Sequence, residues 1–462
     1  MVDRVRANSP GPTTIERARG IPRGLGLRRL GRNIVATLAR QFAATIVGLG
    51  TAMVVARLLG PDGNGQYALA ILLPSLLGNL LQFGVGAAIV YYVGTGSVSV
   101  AQARSTALRL WLAISVVGCG IGWGAVTLWT EKFGGVPRSI LAAGVATFPI
   151  ILLQSYLLTL LQARQDFRRY NLAHLAGPVA TLPLMMVLVW LAELGVPGAL
   201  LAYGLGYGCA LVITWHGVRH HLKDAREETA TAGFIRRALS YGWKAHLGNI
   251  LTFLNYRADL FIVGSLLGAA PTGIYVIAVQ MSEKLWTLSQ AVSTVIFPRL
   301  AELHRDEDAR RVLTPLIARA VLVVTVAAAL LLAAASGPLI TLLFGEQYGE
   351  ARGALLLLLP GIVLLSVSRV LSNDIAARGR PDINMYTAAV TVVLNVAGNI
   401  LLVPRMGIAG AAIATSASYA VTTVAKMYFY GRLSGNRWWE LVLFSAGDWD
   451  MTRHAFTDLL RK

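Results

Sequence analysis

Runs of roughly twenty apolar residues recur from Asn33 to about Tyr430, each bounded by glycine, proline or charge clusters. That is the length a helix needs to cross the hydrocarbon of a bilayer. The stretches between the runs are too short for a sizeable soluble domain. Only 14% of residues are charged against 55% hydrophobic, with a mean hydropathy of +0.60, so a water-soluble chain would lack the polar material to cover itself. The expected fold class is an all-α integral membrane protein. Spans are predicted near 33–57, 66–93, 105–130, 138–162, 170–193 and 196–219, then near 240–267, 272–298, 313–343, 351–377, 384–403 and 407–430, about twelve helices in all.

The net charge of +18 would suggest nucleic acid in a soluble protein, but here its distribution matters more than its size. Arginines crowd the first 32 residues, and alternate loops carry Arg164/Arg168/Arg169, Arg219/Lys223/Arg226, Arg299/Arg305/Arg310 and Arg378/Arg380. Intervening loops hold few cations. The positive-inside rule then places both termini and the basic loops in the cytoplasm, which requires an even number of spans. Nucleic acid is not an expected partner. Cys119 and Cys209 lie inside apolar runs without metal-ligand spacing and read as packing residues, so no metal site is expected. No short apolar core with a cleavage site precedes Asn33, which argues against a removed signal peptide.

The two sets of spans repeat. Leu58-Leu59-Gly60, Gly65 and Tyr67 recur 208 residues later as Leu266-Leu267-Gly268, Gly273 and Tyr275, and Gly195, Gly198 and Tyr207 recur 212 residues later as Gly407, Gly410 and Tyr419. Six spans per copy make this a parallel repeat, with a ligand site expected between the halves. The chain divides into a basic cytoplasmic tail (1–32), an N-terminal lobe (33–219), a charged linker (220–239), a C-terminal lobe (240–430) and a tail (431–462) whose Trp438 and Trp439 suit cytoplasmic or interfacial anchoring. Pro149 and Pro360 nearly coincide under the repeat and predict bends there in both lobes.

Ser75, Asn79 and Gln82 follow helical spacing and map onto Glu283, Thr287 and Gln290, with Gln280 and Thr294 extending the second stripe. Helix-to-helix hydrogen bonding uses the same residue types, but recurrence in both halves favours a shared aqueous cavity. Around the turn at Gly268 to Pro271, Arg257 and Asp259 come to the depth of Glu283 and Lys284. A mid-membrane charge costs on the order of 2.5 to 3.5 kcal/mol, so four together need mutual pairing, hydration or a task. Arg40 and Lys244 add cations nearer the cytoplasmic side, while Arg109 and Arg319 are expected to snorkel.

The sequence resembles the oligosaccharide and polysaccharide flippases of the multidrug/oligosaccharidyl-lipid/polysaccharide exporter superfamily. The residues that carry the likeness are Leu58 to Tyr67, Arg257-Ala258-Asp259 with Gly273-Ile274-Tyr275, Phe297-Pro298-Arg299-Leu300, Ala377 to Pro381, and Pro404 to Ala412. The resemblance implies two six-helix bundles forming a V, which opens alternately to the two sides of the cytoplasmic (inner) membrane. It implies a transporter rather than an enzyme, without catalytic residues, and a cargo of polyprenyl-pyrophosphate-linked oligosaccharide. Arg40, Arg257 and Lys284 are then candidates for the diphosphate, and Asn79, Gln82, Gln280, Thr287 and Gln290 for sugar hydroxyls. Asp259 and Glu283 are candidates for carrying a coupling proton or sodium ion, and equally for neutralising Arg257 or Lys284. No cofactor is expected; membrane lipids, a polysaccharide polymerase and export machinery are the expected partners. The competing readings are an ion-coupled multidrug/cation antiporter, whose cavity should be acidic, and a membrane glycosyltransferase or polymerase.

Overall fold

The structure, a computed structural model, describes residues 25–222, 232–302 and 307–442, so residues 1–24 of the N-terminal tail, 223–231 of the charged linker, 303–306 and the last twenty residues lie outside it. The described residues contain no strand. The N-terminal lobe comprises α1 (Leu25–Leu81), α2 (Val85–Gly94), α3 (Val100–Leu128), α4 (Arg138–Ala146), α5 (Phe148–Ala163), α6 (Phe167–Met185), continued by a π-helical turn at Met186–Leu191, and α7 (Gly195–His220). The C-terminal lobe comprises α8 (Ala232–Leu267), α9 (Ala269–Glu302), α10 (Glu307–Phe344), α11 (Ala351–Ala377) and α12 (Pro381–Ser434). Each lobe has its own core, one built around Tyr156, Phe148 and Leu141 and the other around Tyr275, Phe344 and Tyr348.

Nine helices among the described residues are long and apolar enough to cross a membrane. Two of those are too long for one crossing and turn back on themselves at glycines. In α12 the Thr391 and Thr422 hydroxyls meet, and Asn395 Nδ2 reaches Ser418 Oγ at 3.4 Å. These pairs are equidistant from Gly407, whose φ of 59° opens the helix into a hairpin. In α1 the same role falls to Gly60, φ 67°. The matching glycines of the repeat, Gly195 and Gly268, also adopt positive φ.

Two expected continuous spans are broken. Phe83 and Gly84 both adopt left-handed conformations between α1 and α2, because Gly84 packs directly on Gly242 of α8: a Cβ on Gly84 would stand 2.3 Å from the Gly242 carbonyl oxygen. The span expected at 138–162 divides at Thr147, and Pro149 begins the new helix, where its missing N–H costs nothing. Pro360 instead lies inside an unbroken α11, so the paired bends are not matched. Cys119 is half-buried and Cys209 exposed on the outer face of α7, so only the former packs inside the lobe.

The helix connections gather at two ends, a proximal end shared by the starts of α1 and α8 and the end of α12, and a distal end formed by the glycine turns. At the distal end the lobes interlock reciprocally. A Cβ on Gly65 would come within 1.8 Å of the Ala269 carbonyl oxygen, and one on Gly273 within 2.0 Å of the Pro61 carbonyl oxygen, so both glycines are required by the same backbone crossing. Arg57 donates to the carbonyls of Leu342 and Leu343 (2.5 and 3.0 Å), and Ser265, its counterpart 208 residues later, donates to the carbonyl of Lys132 (2.7 Å). At the proximal end α2 and α8 meet through Gly84 and Gly242, and the His246 ring donates to the Leu80 carbonyl at 3.0 Å.

Candidate functional site: the cavity between the lobes

Between these two sets of contacts lies a cavity of about 380 Å³ lined from both lobes. α1 contributes Thr51 and, past its turn, Tyr67 and Ser75; α6 contributes Thr181, α7 Tyr203 and Tyr207, α8 Arg257, and α9 Gln280. The N-terminal wall is therefore phenol and hydroxyl. Tyr67 stands edge-on to Tyr203 at 6.4 Å, and Tyr203 lies 4.9 Å from Tyr207. Among the described lining residues Arg257 alone is charged. Its guanidinium binds Glu283 with both nitrogens, at 2.8 and 3.3 Å, and donates to the Tyr256 carbonyl. This fork-to-fork geometry is the arrangement that a phosphate can also satisfy.

Of the residues expected from sequence, Arg257 and Gln280 line this cavity, with Ser75 opposite. Glu283 stands behind Arg257 as its counter-ion, and Lys284 follows within electrostatic reach of both. Arg40 is not brought to them: it precedes Gly48, the first lining residue of α1, by about 12 Å along the axis. It lies within electrostatic reach of His174 on α6, and its Nε is buried without a hydrogen bond. Asn79 caps back onto the Ser75 carbonyl (2.9 Å), and Gln82 opens on a separate cleft at the proximal end. The side chains of Lys244, Thr287, Gln290 and Thr294 lie outside the described residues.

Asp259 turns away from the cavity into the C-terminal lobe. It is 3% exposed and accepts hydrogen bonds from Tyr275 Oη (2.8 Å), the Leu260 amide (2.8 Å) and Thr415 Oγ1 (3.3 Å). Asn395 Nδ2 donates to Thr415 Oγ1 (3.1 Å), and Asn399 Nδ2 to the Asn395 carbonyl (2.8 Å). The Asn399 and Asn255 side-chain oxygens are buried without a donor. Sequence reading placed Asp259 with Arg257 because they share a depth; two residues apart on a helix, they differ by about 200° in direction.

Arg369 and Lys426 escaped the sequence reading. Arg369 on α11 donates to Tyr256 Oη (3.4 Å) and lies within electrostatic reach of Glu283 and Lys426, and Lys426 on α12 donates to Ser372 Oγ (2.7 Å). Two cations inside apolar runs were the available signal. The C-terminal lobe thus carries a ladder of cations, Arg257, Lys284, Arg369 and Lys426, descending from the cavity toward the proximal end. Arg319, expected to snorkel, is instead 8% exposed and donates to the Glu440 carbonyl (2.8 Å), because residues 435–441 fold back over the first turns of α10. Trp438 in that strap is exposed and Leu441 buried.

Comparison with known proteins places this architecture. A family model described as polysaccharide biosynthesis protein matches residues 54–352. A protein of Haloferax volcanii named "probable low-salt glycan biosynthesis flippase" is 23% identical over 405 residues, 84% of this chain and 82% of that one. A solved lipid II flippase in an inward closed conformation superposes with a TM-score of 0.74 at 14% identity, covering 86% of this chain and 87% of that one. An inward-facing multidrug resistance transporter of the MOP superfamily superposes with a TM-score of 0.70 at 14% identity, covering 87% and 98%. The fold is that of the two-lobe transporters, and the chain is a multi-pass membrane protein.

Proposed function

The chain belongs to the polysaccharide biosynthesis protein family, and from that premise we propose that it is a flippase moving a polyprenyl-pyrophosphate-linked oligosaccharide across the cytoplasmic membrane by alternating access. The basic proximal loops make that end cytoplasmic, with both termini there. The observation that carries the reading is the inter-lobe cavity whose one charged lining residue among those described is Arg257, facing a wall of tyrosines. A diphosphate displaces Glu283 from the guanidinium fork, while sugar rings pack on Tyr67, Tyr203 and Tyr207 and bond Gln280 and Ser75. The lipid tail stays in the bilayer. Lys284, Arg369 and Lys426 offer the anion successive positions along the C-terminal lobe, and Arg40 completes the cationic surface from the N-terminal side.

Return of the empty carrier needs a driving ion, and Asp259 is our candidate. A buried carboxylate bonded to Thr415, which is linked in turn to Asn395 and Asn399, offers hard oxygen donors to a sodium ion, or a site for a proton. Glu283, once released from Arg257, is the alternative proton carrier. The protein transports and does not catalyse, handing its cargo to a polymerase and export machinery. A cation antiporter is disfavoured because no carboxylate lines the described cavity wall. Deletion in the native host, with analysis of lipid-linked intermediates, tests the reading: undecorated precursor should accumulate on the cytoplasmic face. Unchanged surface polysaccharide with drug hypersensitivity would overturn it.

A further inference from the structure

About 10 Å below Ser75 along the helix, a second pair of spaces opens at the proximal end, separate from the central cavity. A cleft of about 530 Å³ is lined by Gln82 and Tyr91 of the N-terminal lobe, Thr159 and Gln162 of α5, and Tyr241 of α8. Tyr241 also borders an adjoining cleft of about 420 Å³ that holds Arg236, Arg237 and Tyr92. Both volumes fall in the range of about 300 to 1,000 Å³ that small-molecule sites occupy. Tyr91 and Tyr241 stack across the lobe junction at 4.7 Å and 17°, yet remain 47% and 44% exposed. Arg237 lies over the Tyr92 ring at 5.6 Å, and Arg236 is exposed.

We infer that this double cleft is a loading site for a sugar-diphosphate headgroup, occupied before the cargo reaches the central cavity. The inference rests on the proposed function and deepens it. Two features point to the ligand class. Half-exposed aromatic faces flanked by amide and hydroxyl groups suit the mixed apolar and hydroxyl surface of a sugar ring, and a pair of adjacent guanidinium groups suits a diphosphate. Because Tyr91 and Tyr241 belong to different lobes, an occupant bears on the contact that holds the proximal end together, so loading and lobe movement are linked.

The test uses the full chain in phosphatidylethanolamine nanodiscs with two probes, undecaprenyl pyrophosphate and undecaprenyl-pyrophosphoryl-N-acetylglucosamine, measured by equilibrium binding. An Arg257→Ala background keeps the central cavity from dominating the signal. Replacing Arg236 and Arg237 together by Ala should weaken both probes about tenfold, with partial rescue by Lys. Tyr241→Ala should weaken only the sugar-bearing probe, and Tyr241→Phe should not; Tyr241→Leu replaces the alanine variant if that one fails to fold. Equal affinity of parent and cleft variants overturns the loading site and leaves the flippase reading intact. Displacement of both probes by phosphatidylglycerol at matching concentration also overturns it, since the cleft would then hold ordinary anionic headgroups. Failure of the otherwise wild-type protein to bind either probe sinks the functional reading and the loading site together, whereas normal transport by Arg257→Ala sinks only the central cavity's role.

Discussion

The two lobes share a backbone plan but not a chemistry. Their glycine turns and their reciprocal distal crossing correspond residue for residue: Gly60 with Gly268, Gly65 with Gly273, Arg57 with Ser265. The polar interiors do not. Where the C-terminal lobe has Arg257, Asp259 and Glu283, the repeat places Leu49, Thr51 and Ser75 in the N-terminal lobe. The buried charged residues among those described, Asp259, Arg310, Arg319 and Asp374, all belong to the C-terminal half. Duplication therefore preserved the backbone crossings by which the two lobes meet, while the buried charges among the described residues lie on one side.

The largest expected effect lies in the charge cluster that anchors the C-terminal lobe at its proximal end. Arg310 and Asp374, with side chains 3% and 0% exposed, pair at 2.8 Å, and Arg378 adds bonds to Asp374 and Glu307. Removing one member of a buried pair costs about 3 to 5 kcal/mol, so Asp374→Ala should abolish the monodisperse peak in detergent chromatography. The N-terminal lobe's cluster of Asp166, Arg169 and His221 is more open, its Arg169 side chain 39% exposed, and Asp166→Asn should leave that peak in place. Equal sensitivity would erase the asymmetry.

Next in size is a test of the symmetry itself. Gly65→Ala and Gly273→Ala each drive a methyl into a backbone carbonyl at the distal crossing. Both should hold the lobes apart there and cut transport at least tenfold, a change of about 1.4 kcal/mol in the barrier. Spin-label distances across the crossing should lengthen alike in both variants. A response to only one would mean that the crossing is not the shared pivot.

Smaller still is the effect of single substitutions in the cavity wall and in the buried site behind it. Arg257→Ala should slow transport about tenfold and Arg257→Lys less, because only the guanidinium fork binds a diphosphate at two points; Thr51→Ala, on the opposite wall, should change it by less than about twofold, because its half-buried hydroxyl is already bonded to the Val47 carbonyl at 3.0 Å. Asp259→Asn should keep the fold and abolish the dependence of transport on a sodium or proton gradient. Proteoliposome flipping assays with imposed gradients decide both.

This unequal division also explains what could be read from sequence. Glycines, span lengths and basic loops were legible because each answers to backbone geometry or the bilayer, which leave local marks: Gly195 and Gly407 repeat since both must take positive φ. Side-chain direction was not legible. In a soluble helix polarity separates core from surface, but in α8 the lipid face and the lobe interior are both apolar, so nothing distinguished the inward direction of Asp259 from the cavity direction of Arg257. The strap over Arg319 depends on a contact 121 residues away, beyond any periodicity.

The smallest expected effect separates the two proximal turns by pH. Gln165 and Gly379 occupy matching left-handed positions, φ 55° and 76°, yet the turns are tied differently. Partial burial pushes the Asp166 carboxyl up, but bonds from the Arg169 amide and guanidinium and from His221 outweigh it and hold the group below the usual carboxylate range. A depressed folded value means that the ionised carboxyl stabilises the turn at every pH above the unfolded value of about 3.9. That contribution is lost as pH falls through the lower folded value. Protection of amides 163–170, taken relative to the intrinsic exchange rate at each pH, should therefore match that at neutral pH down to about pH 4, then fall toward the level of Asp166→Asn as acid titrates the carboxyl. Residues 374–381, held by the buried Arg310 to Asp374 pair, should stay protected across the same interval, and loosening of both turns together would place the two clusters in one class after all.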